Sequence, residues 1–118
     1  MAIVLREQEA GRCRAALEAE DEVMISAGTV AEALIVSARR NLAAAMTLLF
    51  DRFDFEIVAV TAASSRQIGQ AYARWGKGMN RAGLNFGDCF AYALAKERAC
   101  RLLYVGNEFS KTDVESAL

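Results

Sequence analysis

The sequence predicts an α/β fold in which a parallel sheet is covered by helices on both faces. Three observations carry this expectation. Short, wholly apolar runs alternate with longer stretches of helical periodicity, and strands buried on both faces read as continuous apolar runs. The order along the chain is repeatedly strand then helix, which is how parallel strands are connected. Finally, 54% of the 118 residues are apolar, enough for one layered core.

The chain contains no proline, so element ends are read from glycines, capping residues and changes of period. Ala2–Glu20 reads as a helix, with Ile3, Val4, Cys13, Ala16 and Leu17 partly in register. Val23–Ile25 is a short buried strand. Ser26 or Thr29 caps the next helix, in which Val30, Leu34, Ile35 and Ala38 recur at helical spacing up to Arg40. Leu42–Phe53 is a further helix. Glu56–Val60 is the clearest strand, followed by Thr61 as N-cap of a helix over Ala62–Trp75 that stops at Gly76. Lys77–Asn85 forms a loop, Gly87–Ala99 an alanine-rich helix, and Leu102–Val105 a last short strand closed by Gly106-Asn107. The expected organisation is one domain over 1–118.

Composition narrows the chemistry. A net charge of -1 gives no global signature of nucleic-acid binding, so any phosphate contact must come from a local patch. No apolar run approaches the length that spans a bilayer, and the expected setting is cytoplasmic, away from membranes. The three cysteines, Cys13, Cys89 and Cys100, form no CxxC pair, and histidine is absent. That argues against a zinc site and against histidine-dependent triads, leaving carboxylates, lysine, arginine or a metal.

Ligands in such sheets bind at the carboxyl ends of the strands, beside the following helix starts. Three acids fall there: Glu32 early in the helix after Val23–Ile25, Asp88 in the first turn of its helix, and Glu108 just past Leu102–Val105. Converging carboxylates suit Mg²⁺ or Mn²⁺, which can activate water for phosphodiester hydrolysis. Each acid also has a plainer role. Asn85-Phe-Gly-Asp88 fits a capping box, Glu108 fits an ordinary turn, and Asp113 in Ser110-Lys-Thr-Asp113 fits another capping box. Glu32 has no base at i+3 or i+4, so it belongs near solvent or a cation. Arg74, Lys77 and Arg81 surround the glycine-bearing loop before Asp88 and could hold an RNA backbone, whereas Trp75 and Tyr92 read as packing residues.

Together, Ser26–Arg40 with Glu32, Lys77-Gly-Met-Asn-Arg-Ala-Gly-Leu-Asn-Phe-Gly-Asp88, Leu102-Leu-Tyr-Val-Gly-Asn-Glu-Phe109 and Thr112-Asp113 resemble the VapC-type PIN-domain ribonuclease toxins. The resemblance implies a PIN-like three-layer α/β/α fold and a Mg²⁺- or Mn²⁺-dependent endoribonuclease. It also implies a cognate antitoxin that neutralises the enzyme, an RNA substrate, and commonly a homodimer. The family's acids map onto Glu32, Asp88 and Glu108, with Asp113 as a supplementary acid; Glu108 stands where the family more often has aspartate. Met1-Ala-Ile-Val-Leu-Arg-Glu7 resembles the middle of the family's first helix. The expectation is therefore that the first, central strand and the aspartate at its end are absent. A catalytically silent module that binds the antitoxin or itself is the alternative expectation.

Overall fold

The computed structural model describes residues 8–118. Of the expected Ala2–Glu20 helix, Ala10–Glu18 forms α1; its first part, with the resemblance drawn for Met1–Glu7, lies outside the described residues. There follow β1 (Met24–Ser26), α2 (Ala27–Arg39), α3 (Ala43–Arg52), β2 (Glu56–Val58), α4 (Ala62–Trp75) and α5 (Phe86–Arg98). A 3-10 turn covers Phe109–Lys111. Among the described residues the architecture is mixed α/β with five helices and a small parallel sheet. In the sheet Met24 pairs with Glu56, Ile25 with Ile57 and Ser26 with Val58, and α2 and α3 form the crossover that a parallel pair requires. Among the described residues no helix is long and apolar enough to cross a membrane.

Local chemistry sets the helix starts. Ser26, not Thr29, caps α2: it is the last residue of β1, and its Oγ accepts from the Gly28 N–H at 3.2 Å. Strand end and helix start are thus one residue, so α2 leaves the sheet without a loop. Thr61 and Ser64 make a reciprocal capping box at α4, and Asn85 and Asp88 make another at α5. Gly76 ends α4 as expected, but with φ -70, ψ 161, not in a left-handed turn. Its glycine is needed because a Cβ there would overlap the Tyr72 carbonyl oxygen.

The helix α5 is the hub. It packs on α4, α2 and β1, and its Cys89 and Tyr92 join Leu84 and Ala71 in the core, with Ile68, Trp75, Phe109 and Val114 around them. Tyr92 is buried yet fully employed. Trp75 Nε1 donates to its hydroxyl at 2.9 Å, and the hydroxyl donates to Asp113 Oδ1 at 2.5 Å. This relay ties the C-terminal segment to α4 and α5. Tyr92→Phe is expected to cost about 2 kcal/mol, because it leaves the Trp75 N–H without its acceptor. The Tyr92 hydroxyl, followed by Lys96 and Arg74, holds the Asp113 carboxyl below its ordinary range. A depressed carboxylate stabilises the fold above its unfolded pKa and loses that contribution as the pH falls through the folded one. The gap between wild type and Tyr92→Phe, followed by denaturant titration, should therefore narrow in acid.

Two expectations about the sheet need correction. Leu102–Val105 is not a strand. Leu102 makes an isolated parallel bridge to Ser116, its N–H donating to Glu115 O at 2.8 Å and its carbonyl accepting from Ala117 N at 2.9 Å. The apolar run lacks a continuous ladder partner, and apolarity alone does not make a strand. It lines a groove of about 1260 Å³ together with Val23–Ser26. The second correction concerns β2, which ends at Val58 and is not covered on both faces, since Ile57 is 57% exposed.

Candidate active site

The site is built where two helices begin. Asp88 is the third residue of α5, and its carboxylate Oδ2 accepts from the Asn85 N–H at 2.9 Å while Asn85 Oδ1 accepts from the Asp88 N–H at 2.8 Å. The box engages Oδ2, so capping and ligation are compatible roles for one side chain. Glu32 stands on the second turn of α2, the helix that packs on α5. Its carboxylate reaches the α5 backbone at Gly87: a Cβ on Gly87 would overlap it outright. Glycine at this position admits Glu32 to the neighbourhood of Asp88.

Glu108 stands just before the 3-10 turn. Gly106 has φ +105, a backbone conformation that side chains oppose. The resulting turn brings Glu108 Oε2 to 3.0 Å from where a Gly106 Cβ would stand. Glu32, Asp88 and Glu108 all line the large groove, with Thr29, whose buried Oγ1 has no hydrogen-bond partner among the described residues.

The electrostatics link the three acids. Burial first, then the Asp88 charge, pushes the Glu32 carboxyl above its ordinary value. Asp88 is likewise raised, mainly by burial and further by Glu108, although the Asn85 N–H works in the opposite direction. Asp88 is the member common to both couplings. Such a group is stabilised by a cation, and the donors available are hard oxygens suited to Mg²⁺ or Mn²⁺. Among the described residues no three acids are gathered tightly enough to hold an ion as they stand. The neighbouring Cys89 is no nucleophile: burial, aided by the Asp88 charge, pushes its thiol up to about 11.

The remaining expected site residues separate into two groups. Asp113 is engaged away from the three acids, by Tyr92, by Lys96 Nζ at 3.3 Å and by Arg74 at 3.7 Å. Arg74 also lies over the Trp75 ring, 4.6 Å from its centroid. Lys77 and Arg81 are exposed on the loop that leads into α5. That loop is closed at its base, Lys77 N donating to Leu84 O at 2.9 Å and Leu84 N to Trp75 O at 3.0 Å.

Residues 1–115 match the PIN domain family. The chain belongs to the PIN-domain family. Among its relatives, Ribonuclease VapC36 of Mycobacterium tuberculosis is 44% identical over 105 residues, covering 86% of this chain and 75% of that protein. Ribonuclease VapC30 of the same species is 38% identical over 117 residues, 97% of this chain and 89% of the relative. A Ribonuclease VapC of Mycolicibacterium smegmatis is 48% identical over 69 residues, 58% of this chain and 54% of its own. This PIN domain is therefore of the VapC type.

Two residues of the site were not singled out from the sequence, Gly87 and Thr29. Gly87 did leave a signal: glycine is a poor choice inside a helix, so its place between Phe86 and Asp88 marks a close approach. Thr29 left none, because threonine beside a helix start reads as a cap.

Proposed function

We propose that this PIN domain is a metal-dependent endoribonuclease, the toxin of a toxin–antitoxin pair, acting on RNA in the cytoplasm. The observation that carries the reading is the approach of the Glu32 and Asp88 carboxylates across Gly87, with Glu108 completing the charge around Asp88. Relatives named ribonucleases supply the substrate class.

Glu32, Asp88 and Glu108 would hold Mg²⁺ or Mn²⁺, which supplies an activated water and stabilises charge on the phosphodiester. The Asn85 N–H fixes the Asp88 side chain through Oδ2. Glu32 is admitted to the site by the space left at Gly87. Burial and repulsion from a neighbouring acid raise both carboxyls above their ordinary values, so a cation and a proton compete for the same oxygens. Asp113 enters this set as a supplementary acid only by leaving Tyr92, Lys96 and Arg74. Lys77 and Arg81 contact the RNA backbone, and Arg74 joins them as far as Asp113 and Trp75 release it. A cognate antitoxin that neutralises the enzyme and a homodimeric assembly complete the proposal.

The test is cleavage of single-stranded RNA by the purified protein. Cutting is expected with Mg²⁺ or Mn²⁺, to stop on chelation, and to return when metal is restored. Metal should also raise the thermal midpoint, as any ligand of the folded state does. Cleavage that survives chelation undiminished would rule out the metal-dependent reading.

A further inference from the structure

Phe86 is the most exposed large apolar residue among the described residues, at 72%. Nothing in helix formation asks for it there, since the first position of α5 accepts almost any side chain. The ring is nevertheless held. Phe90, one turn on, meets it edge-to-face with centroids 5.0 Å apart and an interplanar angle of 85°. Phe90 in turn is pressed onto Gly28 at the start of α2, where a Cβ would overlap its ring. Gly28 thus seats Phe90, and Phe90 steadies Phe86 while leaving most of its surface in solvent.

The position matters as much as the exposure. Phe86, Gly87 and Asp88 are consecutive in the first turn of α5: the exposed ring, the place where Glu32 arrives, and the central carboxylate. In a helix the Cα atoms of Phe86 and Asp88 lie about 5.4 Å apart and their side chains leave the axis on opposite sides. The ring and the carboxylate therefore flank the Gly87 position where Glu32 arrives instead of facing each other. The chain enters Phe86 from the closed loop bearing the exposed cations Lys77 and Arg81. One carboxylate of the candidate metal site, an aromatic surface and cations for phosphates therefore follow one another along one segment. Single-stranded RNA is bound by this combination, its bases stacking on aromatic side chains while cations track the backbone.

We propose that Phe86 is a base-stacking platform that receives a nucleobase flanking the scissile phosphate and so positions the strand for cutting. This deepens the ribonuclease reading and rests on it. Because every base has a π-face, the platform fixes the placement of the strand more than the identity of the base.

The experiment uses a short single-stranded RNA carrying 2-aminopurine, with Phe86→Ala, Phe86→Leu and Phe86→Trp beside the wild-type protein. Leucine keeps an apolar contact to Phe90 without a π-face, and tryptophan restores one. Wild type and Phe86→Trp should quench the fluorophore by stacking. Alanine and leucine should lose the quench and bind about 5- to 100-fold more weakly. Their KM should rise while kcat holds, and an RNA with abasic sites should bind wild type and Phe86→Ala alike. Equal quenching and affinity for Phe86→Leu and wild type would overturn the platform, as would an equal loss with the abasic strand. If the wild type cuts RNA and the variants cut with the same KM, the platform alone falls. If the wild type neither binds nor cuts RNA, the ribonuclease reading falls and takes the platform with it.

Discussion

Asp88→Asn is expected to abolish RNA cleavage and to leave the fold about as stable as before. The side chain has two duties, and this substitution separates them. Asparagine still offers an oxygen to the Asn85 N–H, so the capping box at α5 survives. The charge that would hold the metal does not. Residues that only support a metal ligand cost about 10- to 100-fold when removed, so losing a ligand should cost at least about 100-fold in rate. Stability should change by less than about 1 kcal/mol, because burial and Glu108 already disfavour the ionised form. Asp88→Ala makes the contrast: it loses the cap as well and should be less stable by about 1 kcal/mol. Initial cleavage rates in Mg²⁺, read beside thermal melts, check both halves. An unchanged rate in the asparagine variant would remove Asp88 from the metal site and leave it a cap.

The second large effect is expected at a residue that carries no functional group. Gly87→Ala places a methyl where the Glu32 carboxylate now lies. The atom displaced is the end of a flexible side chain, so Glu32 turns away toward water instead of forcing the helices apart. Its departure relieves the burial and the repulsion from Asp88 that raise its pKa. Alanine is also the better helix former, by up to about 1 kcal/mol. The expected variant is as stable as wild type or slightly more so, with cleavage reduced at least about tenfold and weaker metal binding. Calorimetric titration with Mn²⁺ and denaturant unfolding separate these quantities. Wild-type activity in Gly87→Ala would show that Glu32 has no part in the site.

Much of the fold was legible along the chain for a local reason. Helix starts depend on side chains within three residues, so the Thr61 cap and the Asn85–Asp88 box could be read directly, whereas the part of Ser64 came from the structure. Strands depend on neighbours the chain does not name. Val23–Ile25 was close because β2 does pair with it, whereas the equally apolar Leu102–Val105 finds only the bridge to Ser116. The exposure of Ile57 was hidden for the same reason: whether a strand is covered is decided by what packs over it.

The candidate site divides in the same way. Glu32, Asp88 and Glu108 could be proposed from sequence because helix starts and turns after apolar runs are local features. The sequence by itself determined the course of α2 to α5, the caps of α4 and α5, the absence of histidine chemistry, and the family to which the chain belongs. Only the tertiary structure decided that Gly87 is the opening through which Glu32 meets Asp88. It alone showed that Asp113 is taken up by Tyr92, Lys96 and Arg74, and that the Phe86 ring stands in solvent against Phe90. The physical reason is distance along the chain. Caps and periodicity act within a turn of helix, whereas charge coupling and burial are set by segments tens of residues apart that meet only when α2, α5 and the C-terminal segment pack together.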